Sequence, residues 1–149
     1  MVPATIARLS AIKTIVGVKE GSGSVQQASD VVQMCGDRLT VLAGDDALTL
    51  PMMAVGAKGV VTVTANLLPT DMANLVKAFA AGKIDEARRI HFKLSPLFAA
   101  LFYETNPIPV KEALGMMGKI DPELRLPLCP MAQDTREKLS RVMKDLDLI

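Results

Sequence analysis

Three short polar segments concentrate the residues of this chain that could do chemistry: Lys19-Glu20-Gly21-Ser22-Gly23, Gly44-Asp45-Asp46 and Thr64-Ala65-Asn66. Each follows an apolar, β-branched run, IVGVK at 15–19, LTVLA at 39–43 and GVVTV at 59–63. A lysine that ends such a run has two fates. It reaches into solvent, as most strand-end lysines do, or it stands partly desolvated, where a depressed pKa leaves the amine free to attack a carbonyl carbon and form a Schiff base. Alternation puts Gly17 on the same face as Lys19, so a small ligand has room on the lysine's own side. Spacing alone leaves both fates open. The Gly-Ser-Gly loop offers backbone N–H groups to an anion at the start of the following helix, a pattern shared by many loops. Asp45 and Asp46 read as helix caps rather than as acids.

The elements that must position these groups follow from the apolar pattern. The three runs are almost continuously apolar rather than alternating, as strands of a parallel sheet covered on both faces are. Between them lie SVQQASDVVQMCG (24–36), with Val25, Ala28, Val32 and Cys35 at helical spacing before Gly36, and DDALTLPMMAVG (45–56), which ends at Gly56. The first half therefore reads α-β-α-β-α-β, with Lys19, Gly44 and Asn66 expected at the same, carboxyl-terminal edge of one parallel sheet. The handedness of parallel connections places the helices on one outer side. Three strands leave two edges and one apolar face open, so inner-face side chains such as Ile15 and Val41 are expected to be uncovered and to drive strong association.

Beyond Asn66 the strands stop. PTDMANLVKAFAAGKIDEARRIHFKLSPLFAALFY reads as two helices separated near Gly82, the second bent or interrupted at Pro96. Leu75, Phe79, Leu94 and Leu97 are its expected buried positions. NPIPVKEALGMMG gives a proline-rich entry into a further helix, RLPLCPM a loop, and AQDTREKLSRVMKDLDLI a closing amphipathic helix with Asp134 or Thr135 as N-cap.

The 149 residues are half apolar, carry a net charge of +1 and include nine methionines and no tryptophan. Basic residues interspersed with acids argue against a nucleic-acid partner, which needs clustered Lys and Arg. No apolar run approaches the ~20 residues of a membrane span. MVPATIARLSAIK lacks the parts of a signal peptide, and the cytoplasm is the expected compartment. Cys35 and Cys129, without CxxC spacing, suggest neither a disulfide framework nor a zinc site, and Cys35 reads as a small buried hydrophobe. His91, the single histidine, has no Ser, Cys or Asp placed to pair with it.

IVGVKEGSGS, LAGDDALTLPMMAVGAKGVVTVTANLLP, NPIPVK and RLPLCP together resemble the later part of the dihydrodipicolinate synthase family of pyruvate-dependent class I aldolases, which includes N-acetylneuraminate lyase. The resemblance covers essentially the whole chain; NPIPVK and RLPLCP resemble the synthases more specifically than the lyases at large. It implies a partial (β/α)8 TIM barrel, strands six to eight at 15–19, 39–43 and 59–63, over residues 1–68, and the final barrel helix with a C-terminal helical bundle over 69–149. It implies that Lys19 is the Schiff-base lysine and that Gly44 and Val61 line the pyruvate pocket. The implied reaction condenses pyruvate with aspartate semialdehyde in the diaminopimelate route to lysine. No metal or organic cofactor is implied, because the iminium is itself the electron sink.

Pro3 to Lys13 already resembles the helix after the fifth barrel strand, so the chain is expected to be one part of a barrel. The family's threonine and two tyrosines that relay protons, and its arginine for the second substrate, have no counterpart; Tyr103 is the single tyrosine. The chain alone is therefore expected to be inactive, completed by a copy of itself or by a chain carrying the N-terminal half-barrel. A sugar-acid aldolase and a non-catalytic half-barrel oligomer are the alternative readings.

Overall fold

The computed structural model describes residues 1–149. The fold is α/β, with a small parallel sheet and seven α-helices, and no helix is long and apolar enough to cross a membrane. Contacts gather into two compact units, Met1–Thr62 with Ala73–His91, and Val63–Met72 with Phe92–Ile149.

In the first unit, α1 (Pro3–Leu9) starts on a proline, whose missing N–H costs nothing in a first helical turn. The chain then enters β1 (Gly17–Glu20), which pairs in parallel with β2 (Thr40–Ala43) in the register Gly17↔Thr40, Lys19↔Leu42 and Glu20↔Ala43. Between them α2 (Val25–Cys35) is capped by Ser24, whose side chain accepts the N–H of Gln27, and is stopped by Gly36 at φ +54°. After β2 a 3-10 turn (Asp46–Leu48) leads into α3 (Thr49–Ala54). Gly56 then turns the chain at φ +112°; a Cβ there would lie 2.7 Å from Val32 Cγ1, so both the conformation and the approach to α2 require glycine.

The third run, 59–63, does not form a full strand. It makes one parallel bridge, Ala43↔Val60, supported by bonds from Lys58 N–H to Val41 O, Ala43 N–H to Gly59 O and Val61 N–H to Ala43 O, each 2.8 Å. β2 itself ends at Ala43, where the bridge forms, and the Gly44 N–H bonds the Glu20 carbonyl at 2.6 Å on the β1 side, continuing the series begun by Thr40 N–H to Val16 O. β-Propensity favoured five residues, but a strand extends only as far as its neighbour offers bonds.

The core of this unit joins Ile6, Ala28, Val31, Cys35, Val41, Ala43 and Met52. Cys35 is buried there as a small hydrophobe. Val41, expected on the open face, is instead 2 % exposed inside this core, and Ile15 packs against it. The open face carries Gly17, Lys19 and Thr40, which are exposed, with Leu42 half-buried. Near-continuous hydrophobicity does not reveal which parity faces the helices.

The chain leaves the sheet through a 3-10 turn (Thr64–Asn66) into α4 (Pro69–Ala80), then α5 (Ile84–Ala100), separated by Gly82 at φ +74°. Leu75, Leu94 and Leu97 are fully buried and Phe79 half-buried. α5 is not interrupted at Pro96. A proline removes one helical bond, and the buried Leu94, Leu97 and Phe98 on either side hold the turns together across it.

In the second unit, α6 (Ile108–Met116) and α7 (Gln133–Asp145) pack Ile108, Val110, Ala113, Leu139 and Met143 with Leu97 and Leu101. Neither Asp134 nor Thr135 caps α7. Its N-terminus starts after Ala132, and the carboxylate of Glu104 accepts the Ala132 N–H at 3.0 Å and the Thr135 hydroxyl. A cap supplied from 28 residues away is invisible to local pattern. Leu139, fully buried in this cluster, should lose about 2–5 kcal/mol of stability on replacement by alanine. Chemical denaturation monitored by circular dichroism would show it; an unchanged midpoint would mean that the cluster does not hold the unit.

Candidate active site

Lys19 is the third residue of β1, on the exposed parity with Gly17. Its stem lies over Gly44. A Cβ at Gly44 would come within 3.0 Å of Lys19 Cε, 2.7 Å of the Glu20 carbonyl oxygen and 2.9 Å of Gly21 Cα. Glycine is thus required at this position by closeness, not by backbone conformation. Val61 donates its N–H to Ala43 O, immediately before Gly44, and is 44 % exposed. Lys19, Gly44 and Val61 therefore stand at the carboxyl end of the same small sheet, where α/β proteins collect their chemistry. Asn66 lies in the second unit, in its 3-10 turn, with its side-chain amide donating to Val63 O at 2.9 Å.

The other candidates are structural. Asp45 Oδ1 accepts the Ala47 N–H at 2.9 Å and so caps the turn after β2. The Thr49 hydroxyl donates to the Asp46 carbonyl at 2.8 Å. His91, half-buried on α5, has its pKa lowered by burial, which disfavours the imidazolium. Tyr103, in the second unit, is exposed.

The residue that sequence reasoning passed over is Glu20, 3 % exposed and pointing away from Lys19. Its Oε1 accepts the Ser22 N–H at 2.7 Å and its Oε2 the Gln27 side-chain amide at 3.0 Å. The loop N–H that might have met an external anion is already used by the chain's own carboxylate. A carboxylate ending an apolar run, with Ser two and Gln seven positions on, was the available signal. Together with Lys19, Val18, Ser22 and Gln27, Glu20 lines a cleft of about 270 Å³ that also touches Met1.

Burial pushes the Glu20 carboxyl up, but the hydrogen bonds from Gln27 and Ser22, helped by the N-terminal ammonium, outweigh it and hold the pKa below the ordinary value. A folded-state pKa below the unfolded one adds stability that is complete above the unfolded value, about 4.3, and is lost as pH falls through the folded value. Thermal melts taken downward from pH 6 should therefore show a loss at acid pH that Glu20→Gln reduces. Identical acid profiles for the two proteins would contradict this. Gly44→Ala should destabilise by about 1–3 kcal/mol, because the methyl meets backbone that cannot give way as a side-chain tip can. An unchanged melting temperature would count against the close approach.

A parallel sheet with polar groups at its carboxyl edge is the arrangement of the α/β class. The sequence pattern of the dihydrodipicolinate synthetase family matches residues 1–146, and the chain belongs to that family. It is 52 % identical over 149 residues to the 4-hydroxy-tetrahydrodipicolinate synthase of Geobacter metallireducens, covering all of this chain and 51 % of the relative. To that of Geotalea daltonii it is 54 % identical with the same coverage. The dihydrodipicolinate synthase structure from Aquifex aeolicus superposes with a TM-score of 0.96 at 42 % identity, covering 99 % of this chain and 50 % of that one. The chloride-inhibited enzyme of Acinetobacter baumannii, complexed with pyruvate, gives 0.95 at 37 % identity, covering 99 % and 51 %. The chain spans about half the length of the curated relatives it matches.

Proposed function

We propose that this chain supplies the nucleophilic half of a dihydrodipicolinate synthase, with Lys19 as the Schiff-base lysine and Gly44 and Val61 lining the pyruvate pocket. In this reading β1, β2 and the 59–63 segment are strands six to eight of a TIM barrel. Residues 1–68 form the partial barrel and 69–149 the last barrel helix with the C-terminal bundle. The observation that carries it is the placement of the Lys19 stem against Gly44, where a Cβ would meet Glu20 and Gly21 backbone and the lysine's own Cε, at the carboxyl end of a parallel sheet. The Lys19 Nζ attacks the keto carbon of pyruvate, an N–C bond forms, and the carbonyl oxygen leaves as water. Loss of a methyl proton gives the enamine, which adds to the aldehyde carbon of aspartate semialdehyde. The names of the relatives and the NPIPVK and RLPLCP segments favour this acceptor over a sugar acid. The assigned setting is the cytoplasm, in diaminopimelate and lysine biosynthesis.

The exposed sheet face supports a second element of the proposal, that the chain works as an assembly. A copy of itself or a chain bearing the N-terminal half-barrel covers Gly17, Lys19, Thr40 and Val61. By itself the chain binds pyruvate covalently but does not complete the synthase reaction. The test is incubation of the purified protein with pyruvate and borohydride, followed by peptide mapping by mass spectrometry. A reduced adduct on Lys19 is expected; an unmodified Lys19 under saturating pyruvate would reject the assignment.

A further inference from the structure

We infer that Glu20 is a positioning residue for Lys19: its buried carboxylate ties the end of β1 to the loop and helix that follow, and this fixes where the lysine's amine stands. The inference rests on the reading of Lys19 as the imine-forming nucleophile. Glu20 is bonded in three directions. One carboxylate oxygen takes the Ser22 N–H at 2.7 Å, the other takes the Gln27 side chain of α2 at 3.0 Å, and the Glu20 backbone carbonyl takes the Gly44 N–H at 2.6 Å. Gln27 is itself anchored, its N–H donating to the cap residue Ser24 at 3.1 Å. One residue thus joins β1, its loop, α2 and the seat beneath the lysine stem.

The chemistry of the position argues that these bonds matter. A carboxylate withdrawn from water is costly, and here the Ser22 backbone amide, the Ser22 side chain and the Gln27 carboxamide bond to it. An apolar side chain would fill the space with less desolvation, but would leave the loop untied. Lys19 needs such a tie because it is exposed and its long side chain has many rotamers open to it. Imine formation requires the amine at roughly 3–3.5 Å from the keto carbon, and displacement by about 1 Å can cost on the order of 100-fold in rate. The stem's freedom is limited on one side by Gly44, whose own place is set by the bond to Glu20. Releasing the carboxylate unties the Ser22 loop and α2 from the end of β1, leaving the backbone bond to Gly44 as the remaining tie at the lysine's seat.

The test compares Glu20→Ala, Glu20→Gln and Gln27→Met with the unaltered chain in two assays, each below the melting temperature of every variant as followed by circular dichroism. The first measures the rate of pyruvate imine formation at saturation, separately from the half-saturating concentration. The second measures reductive labelling by pyridoxal, an aldehyde taken up by any accessible amine, at Lys19 relative to the exposed Lys77 and Lys144. Glu20→Ala should slow the saturated rate by about 10- to 100-fold while the half-saturating concentration changes little. Glu20→Gln, which keeps an acceptor for Ser22, should recover most of the rate, and Gln27→Met should fall between. If Glu20→Ala does not fold, Gln27→Met decides, since it leaves the Ser22 bond in place. A folded Glu20→Ala or Gln27→Met with wild-type imine and labelling rates overturns the inference. If the unaltered chain forms no pyruvate imine, the functional reading falls, and pyridoxal still decides the positioning: Lys19 labelled faster than the standards, and brought to their level by Glu20→Ala, supports it, while equal labelling in both proteins overturns it.

Discussion

Replacement of Lys19 by alanine or arginine should abolish the site's borohydride-trapped pyruvate adduct, with no counterpart elsewhere on the sheet. Alanine removes the nucleophile. Arginine keeps the charge, but a guanidinium stays protonated and cannot add to the keto carbon. Because Lys19 is exposed and no packed contact of the core depends on it, both variants should melt within about 0.5 kcal/mol of the unaltered chain. Loss of the adduct would then report chemistry, not unfolding. The sharpest competitor is the α-amino group of Met1, which borders the same cleft. Peptide mapping separates the two. An adduct that persists in Lys19→Ala and maps to Met1 would transfer the role from the side chain to the terminus and remove the argument from Gly44.

Pyruvate and aspartate semialdehyde added to the purified 149-residue chain should give no appreciable condensation, even where the pyruvate imine is trapped. Enamine formation and addition each need a proton moved at a defined place, and a positioned donor or acceptor typically contributes 10²–10⁴-fold. The groups in hand do not supply it. His91 is half-buried with its charged form disfavoured, and the Glu20 carboxylate points away from the lysine with both oxygens engaged. Addition of a chain carrying the first five barrel strands should restore turnover, and the restored rate should depend on the concentration of both chains. A coupled assay that consumes both substrates with the 149-residue protein alone would refute the expectation and require a second copy to bring the relay.

Much of this molecule was legible one residue at a time. Ser24 before a 3.6-period stretch and Gly36 after it bound α2 because a cap and a left-handed stop act within one helical turn. Cys35, Leu75, Leu94 and Leu97 were readable as core because burial follows hydrophobicity at fixed spacing. The family was readable from short quoted segments. Tertiary structure decided what depends on a partner distant in sequence. The face of the sheet occupied by Val41 was set by where α2 and α3 pack, not by its own strand's pattern. The length of the 59–63 segment was set by where β2 ends, at Ala43, and the start of α7 is tied down by a carboxylate from Glu104. Glu20 shows the division most clearly: its place at a strand end was plain in the sequence, but its bonds to Ser22, Gln27 and Gly44 exist only once β1, α2 and β2 have been brought together. Periodicity encodes how much a residue prefers to leave water, and folding alone determines which polar partner meets it there.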